Sequence, residues 1–238
     1  MIVDFRCCGT GSSGNAYAIT CQEETLLLDA GMPIKSIKEM LDWNIKKVVG
    51  CVVSHKHFDH SRSIKEIEKC GIPVFKPYEE LEMISADARV MVAEKLGGFK
   101  ITGFQVPHDG TRNCGFLISH EDETILYITD FEYCPYNFAK RKIDHMVLEC
   151  NYIQNLVNVE DSKNIHKIKG HAELLTVKNF IQSSKTKFLS TVILCHLGKE
   201  STDEERILAE IKEVSGCDTY IAHPGMKLEM RGKYECPF

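Results

Sequence analysis

The sequence predicts an α/β protein made of two β-rich layers with helices on their outer faces. Three observations lead there. Short apolar runs of strand type are followed by segments of helical periodicity, and this order occurs twice along the chain. The length of 238 residues and a hydrophobic content of 43% suffice for a sizeable core. Histidines and aspartates recur just past the ends of apolar runs, which places a polar site at the strand ends. No low-complexity linker or solenoid repeat divides the chain, so residues 1–238 read as one domain.

Ile2 to Cys7 reads as a strand, followed by the turn Gly11-Ser12-Ser13-Gly14-Asn15. That turn lacks the Lys-Ser/Thr ending of a phosphate loop and leads into a strand, which argues against nucleotide binding. Ala16 to Cys21 and Thr25 to Asp29 form a hairpin, and Pro33 to Trp43 has helical spacing through Ile34, Ile37 and Leu41. Val48 to Val53 is a strand. Ser61 to Lys69 reads as a helix stopped by Cys70-Gly71, Pro73 to Phe75 as a short strand, and Pro77 to Met83 as a short helix. Strands follow at Phe99 to Val106, Gly115 to His120 and Thr124 to Thr129, then a helical turn at Asn137 to Lys142 and a buried-type strand at Met146 to Cys150. Tyr152 to Lys169 is polar and irregular. His171 to Ser183 is helical, Phe188 to Cys195 a strand, Thr202 to Val214 a helix capped around Ser201-Thr202-Asp203, and Thr219 to Ala222 the last strand.

Composition narrows the class. A net charge of −5 gives no global basic footprint for nucleic acid, so a polyanion has to be drawn in locally. The 11 cysteines are odd in number and have no C-x-x-C spacing, which suits reduced thiols better than a disulfide framework. No apolar run is long enough to cross a bilayer, and the N-terminus lacks the apolar core of a signal peptide. A cytoplasmic protein without membrane contact is expected; oligomeric state is left open.

The chemistry is concentrated in Ser54-His-Lys-His-Phe-Asp-His60, after the apolar run of residues 48–53. On an extended chain His55 and His57 point to one side and can grip one divalent ion. A turn into helix at Asp59-His60 lets those two side chains reach a second ion, an arrangement built for hydrolysis. Further candidate ligands follow apolar runs at His108, Asp130 and His196. The set of three histidines for one metal, one Asp and two His for the other, and one bridging Asp is complete.

The string His55-x-His57-x-Asp59-His60, with His108, Asp130 and His196, resembles the metallo-β-lactamase superfamily of binuclear metallohydrolases. The likeness includes Asp29-Ala30-Gly31 and Leu194-Cys195-His196-Leu197-Gly198. It implies an αββα sandwich of two mixed β-sheets flanked by helices. It also implies that His55, His57 and His108 hold one metal, that Asp59, His60 and His196 hold the other, and that Asp130 bridges them. A hydroxide shared by the two metals and positioned by Asp59 would be the nucleophile. The ligand types suit Zn²⁺, Mn²⁺ or Fe²⁺ alike. Gly11-Ser-Ser-Gly-Asn15, Leu148-Glu-Cys-Asn-Tyr152 and Gly170-His-Ala172 are similar to elements of a bacterial branch, the YycJ/WalJ-type 5′-to-3′ double-strand DNA exonucleases. That likeness implies DNA as substrate.

Glu149 and His171 resemble a Glu and a His that phosphodiester-cleaving relatives, such as the tRNA 3′-processing nucleases, keep beside the metals, and the resemblance implies phosphodiester chemistry. An alkoxide leaves poorly without a proton, and a histidine held by a carboxylate can deliver one near neutral pH. Glu149 and His171 are the catalytic candidates beside the seven metal ligands, and Asp59, one of the seven, is the third. Lys163, Lys167 and Lys169 form a local basic stretch able to grip backbone phosphates. Ser13 and Asn15 are candidates to line the pocket, although forming the turn is the simpler role for both. A small-molecule or cyclic phosphodiesterase, an RNA-processing nuclease, a thioester hydrolase and a non-catalytic metal-binding module are the alternatives.

Overall fold

A computed structural model of the chain describes residues 2–81, 91–158 and 165–233, with only the backbone of Leu81, His166 and Lys167. Two sheets form. In the first, strands β1 (Ile2–Gly9), β2 (Ala16–Cys21), β3 (Glu24–Leu28), β4 (Val48–Val52), β5 (Val74–Phe75) and the late β13 (Lys227–Arg231) lie in the order β13-β1-β2-β3-β4-β5. In the second, β6 (Met91–Leu96), β7 (Phe99–His108), β8 (Thr111–His120), β9 (Glu123–Ile128), β10 (His145–Glu149), β11 (Thr191–Cys195) and β12 (Asp218–Ile221) run β12-β11-β10-β9-β8-β7-β6. Each sheet is mixed: antiparallel meanders β13-β1-β2-β3 and β6-β7-β8-β9 each continue into parallel pairings, through β4 and β5 in one and β10, β11 and β12 in the other.

Parallel pairing requires crossover segments, and these carry the helices. Helix α1 (Ile34–Met40) joins β3 to β4, and α2 (Phe58–Ser61) with α3 (Ile64–Lys69) joins β4 to β5. Helix α4 (Pro77–Leu81) follows β5. Helices α5 (Ile165–Gly170) and α6 (Leu174–Ser184) lie between β10 and β11, and α7 (Glu204–Ser215) between β11 and β12. Strands β10 and β11 are buried on both faces, as parallel strands between layers must be. On one side Val147, Ile193 and Cys195 share a core with Phe5, Tyr17 and Ile19 of the first sheet. On the other, Met146, Leu148, Val192 and Leu194 pack with Val177 and Ile181 of α6 and Ile207 and Ile211 of α7. The rings of Tyr17 and Tyr127, edge to face at 6.0 Å, join the two sheets. The αββα sandwich expected from the sequence is the architecture found.

Several elements depart from the sequence reading. β6 and β13 were not foreseen; both are sheet edges, and the burial of β6 shows no clean alternation. Residues 137–142 form no helix: the Asn137 carboxamide oxygen accepts the Ala139 N–H and closes a turn. The polar stretch after Tyr152 contains a 3-10 turn at Gln154–Leu156 and α5. α6 begins at Leu174, with Glu173 capping the Leu175 N–H, so His171 lies in the bend between α5 and α6 rather than inside a helix. Met83, the expected end of α4, lies outside the described residues.

Candidate metal centre

The strand ends deliver the site. His55 and His57 follow β4, and α2 begins at once, so Asp59 and His60 fall on its first turn. His108 ends β7, Asp130 follows β9, Glu149 ends β10 and His196 follows β11. Asp29, Asp130 and His196 all have positive φ, at 60°, 50° and 53°. Each lies just past a strand end, where the left-handed turn redirects the chain; such a conformation costs a non-glycine residue roughly 1–3 kcal/mol.

All seven expected ligands converge. The ligand atoms of His55, His57 and His108 lie within 4.8 Å of one another, as do those of Asp59, His60, Asp130 and His196. Asp130 sits in the middle. Its Oδ2 is 3.4 Å from His60 Nε2, 3.7 Å from His108 Nε2 and 3.9 Å from His55 Nε2, and its Oδ1 is 3.5 Å from His196 Nε2. His108 Nε2 is 3.4 Å from His57 Nδ1, which identifies Nδ1 as the inward atom of His57. His60 Nε2 is 3.6 Å from Asp59 Oδ2.

The donor set fits divalent cations. Buried His55 Nε2 and His196 Nε2 have no hydrogen-bond partner, and a buried polar atom without one is costly. Two ligands each about 2.1 Å from a tetrahedral ion stand about 3.4 Å apart, close to the spacings around Asp130. The outer ring nitrogens are anchored. His60 Nδ1 lies 2.8 Å from Asp29 Oδ2, His108 Nδ1 2.5 Å from the Gly170 carbonyl, and His196 Nδ1 2.9 Å from Glu149 Oε1. A partner of this kind fixes the tautomer, so the inner nitrogen presents a lone pair.

The electrostatics agree. Burial pushes His55 well below the ordinary imidazole range, helped by charge on His60, and burial also lowers His57, beside His108. Burial disfavours charged His60 as well, but Asp130 and Asp29 outweigh it and hold His60 well above its usual value. Burial raises Asp130, yet His196, His60 and His55 bring it well below the carboxylate range.

Asp29, Ser54 and Asn151 were not singled out as site residues. Asp29 is fully buried; Oδ1 accepts the Ser54 N–H at 2.7 Å and Oδ2 the Tyr127 hydroxyl at 2.5 Å in addition to His60. The Asn151 amide donates to Glu149 Oε1 and to the His196 carbonyl. Asp29 and Asn151 lie in stretches that carry the family resemblance and Ser54 opens the ligand string, but neither the stretches nor the string shows what these side chains hold.

Glu149 is fully buried and holds two histidines. Oε1 is 2.6 Å from His171 Nδ1 and 2.9 Å from His196 Nδ1, while Oε2 accepts the Phe131 and Ala172 N–H groups. Burial lowers His171, but the charge and hydrogen bond of Glu149, with Asp130, raise it to about 9. His171 stacks on His196 at 5.1 Å and lines a cavity of about 550 Å³ together with Ser12, Ser13 and Lys199.

The expected substrate contacts fare unequally. Ser13 is on this cavity wall. Asn15 is fully buried, its Oδ1 accepting the Gly11 N–H at 2.8 Å and its Nδ2 2.9 Å from His60 Nε2; it organises the loop and cannot reach a substrate. Lys169 is exposed at the end of α5, next to the Gly170 carbonyl that holds His108. Lys163 and the side chain of Lys167 lie outside the described residues.

Residues 9–137 match the family described as the Metallo-beta-lactamase superfamily. The chain belongs to that superfamily. Among curated proteins it is similar to the exodeoxyribonuclease YycJ of Bacillus anthracis, 26% identical over 148 residues, 56% of each chain. It is also similar to the exodeoxyribonuclease WalJ of Streptococcus pneumoniae serotype 2, 24% identical over 162 residues, 60% of each chain. The matched region thus spans between half and two thirds of these relatives. The crystal structure of the metallo-beta-lactamase fold protein YhfI from Bacillus subtilis shares the fold with a TM-score of 0.73 at 18% identity, covering 96% of this chain and 100% of that one. Among the described residues no helix is long and apolar enough to cross a membrane.

Proposed function

We propose that the chain is a binuclear metal-dependent phosphodiesterase of nucleic acid, acting on double-stranded DNA as a 5′-to-3′ exonuclease. The observation that carries the phosphodiester chemistry is the 2.6 Å contact between Glu149 and His171, beside the His–Asp cluster. Ester hydrolysis with a good leaving group has little use for it; departure of a sugar alkoxide does.

His55, His57 and His108 would hold one divalent cation, and Asp59, His60 and His196 the other, with Asp130 between them. When bound, such a pair lowers the pKa of a water and offsets charge on a phosphoryl group. The remaining work falls to the chain. Asp29 keeps the Nδ1 proton of His60 turned away from the centre. Glu149 does the same for His196 and holds His171 charged, leaving His171 Nε2 to protonate the departing oxygen. The cavity lined by His171 and Ser13 would receive the leaving strand.

The polymer rests on two supports. Both curated relatives are exodeoxyribonucleases. Phe58, next to His57, is 69% exposed, and an exposed aromatic face beside the centre offers a base a surface to stack on. The test is hydrolysis of end-labelled duplex DNA, single-stranded DNA and RNA, after chelation and after return of Mn²⁺ or Zn²⁺. Metal-dependent release of nucleotides from the 5′ end of the duplex is expected. Activity confined to RNA or to small cyclic diesters would remove DNA as the substrate.

A further inference from the structure

A second pocket, of about 310 Å³, lies on the His57 side of the metal centre and is lined by Lys56, Tyr78, Gly110, Thr111 and Arg112. We infer that it is a phosphate subsite, binding a phosphate group of the substrate other than the one that reacts. The inference rests on the phosphodiester reading for the molecule that brings the phosphate, and on the pocket itself for the site.

The hairpin geometry builds the pocket. Asp109 and Gly110 both have positive φ, at 37° and 69°, the signature of a two-residue primed turn. That turn ends β7 at His108 and opens β8 at Thr111, so a metal-ligand candidate and the pocket wall are separated only by the turn. On the facing side Lys56 is exposed between His55 and His57. Thr111 Oγ1 is 3.3 Å from His57 Nε2, which puts the pocket against the outer edge of the three-histidine cluster.

Arg112 and Lys56 supply the ligand signal, both standing in the pocket wall. A guanidinium is always charged and carries five donors in a planar fork that matches carboxylate or phosphate. No carboxylate lines the pocket, while Lys56 adds a second positive charge. In a chain of net charge −5, two cations beside the centre form a local exception suited to an anion. The Thr111 hydroxyl is a further polar group in the wall.

The test uses Arg112→Gln and Lys56→Gln in the full chain. Binding to the metal-free protein is read by fluorescence anisotropy, so that turnover plays no part. The probes are duplexes with a 5′-phosphate, with a 5′-hydroxyl, and with methylphosphonates replacing the backbone phosphates near the end. Each substitution should weaken the phosphorylated duplex about tenfold and reduce the salt slope by about one. Loss restricted to the 5′-phosphate probe assigns the pocket to a terminal phosphate; loss on both the 5′-phosphate and 5′-hydroxyl duplexes, absent from the methylphosphonate duplex, assigns it to the backbone. Wild-type affinity and salt slope in a folded Arg112→Gln variant would overturn the assignment. Should that variant not fold, the exposed Lys56→Gln decides by the same criterion. Arginine-dependent binding in a wild type that cleaves no diester would retain the subsite and remove the proposed activity instead.

Discussion

Replacing Asp29 by asparagine should separate the orientation of His60 from the stability of the fold. Asp29 touches no candidate metal position directly; it accepts from Ser54, Tyr127 and His60 in the buried space behind the cluster. Alanine is too blunt a probe. It would strip the acceptor from four buried donors, the Ser54 N–H and hydroxyl, the Tyr127 hydroxyl and His60 Nδ1, at about 1–3 kcal/mol each, a sum comparable to the whole stability of a typical domain, about 5–15 kcal/mol. Asparagine keeps the shape. Its carbonyl must face the Ser54 N–H, which places its NH₂ where Oδ2 now meets His60 Nδ1. The Tyr127 and Ser54 hydroxyls can rotate to accept, but His60 can accept only by moving its proton to Nε2, the atom facing Asp130. A protonated Nε2 cannot bind metal. Loss of an orienting partner of this kind weakens metal affinity about 10–100-fold, here at one of two ions. Metal content after dialysis, together with competition against a chromogenic chelator, should show one ion retained at near wild-type affinity and the second lost or weakened. Two ions held with unchanged affinity in a folded Asp29→Asn protein would refute this account of His60.

Three further outcomes follow from the same geometry. In the metal-free protein Asp130 and Asp29 hold His60 well above its usual value. Proton and metal therefore compete for His60, and metal affinity should fall as pH falls, measurable by chelator competition at several pH values; an affinity independent of pH would contradict it. His171 must be protonated to act, so hydrolysis should decline as pH rises through its pKa. That pKa is about 9 without metal and lower beside bound dications; in Glu149→Gln the alkaline limb of the pH–rate profile should move to lower pH, and an unmoved limb would break the link. A Cβ on Gly31 would collide with the carbonyl of Asp59. Because that contact is backbone, Gly31→Ala should cost about 1–3 kcal/mol, read by thermal unfolding, and displace Asp59.

The heart of the candidate site was legible because its candidate ligands announce themselves. His55, His57, Asp59 and His60 fall within six residues, and His108, Asp130 and His196 each follow an apolar run, so strand ends alone bring them together. Asp29 was harder. Its partners Ser54, His60 and Tyr127 lie 25 to 98 positions away, and nothing local marks a carboxylate that works from behind. Asn15 misled because a polar residue in a glycine-rich turn looks exposed, whereas this one is wholly buried. β6 escaped because a strand at a sheet edge need not alternate cleanly, and β13 because its alternation runs over only five residues. Arg112 and Lys56 share no spacing, since the Asp109-Gly110 turn is local but its approach to residues 55–57, far back in the sequence, is tertiary.

The central claim is that His171, held by Glu149, gives up a proton to a poor leaving group. The direct measurement compares His171→Ala with the wild type on two phosphodiesters, duplex DNA and bis(p-nitrophenyl) phosphate, under the same metal loading. A nitrophenolate departs without help, so a lost proton donor should cost little there, whereas on DNA it should cost about 10²–10⁴-fold. Equal losses on both substrates would contradict the account and return His171 to a structural role.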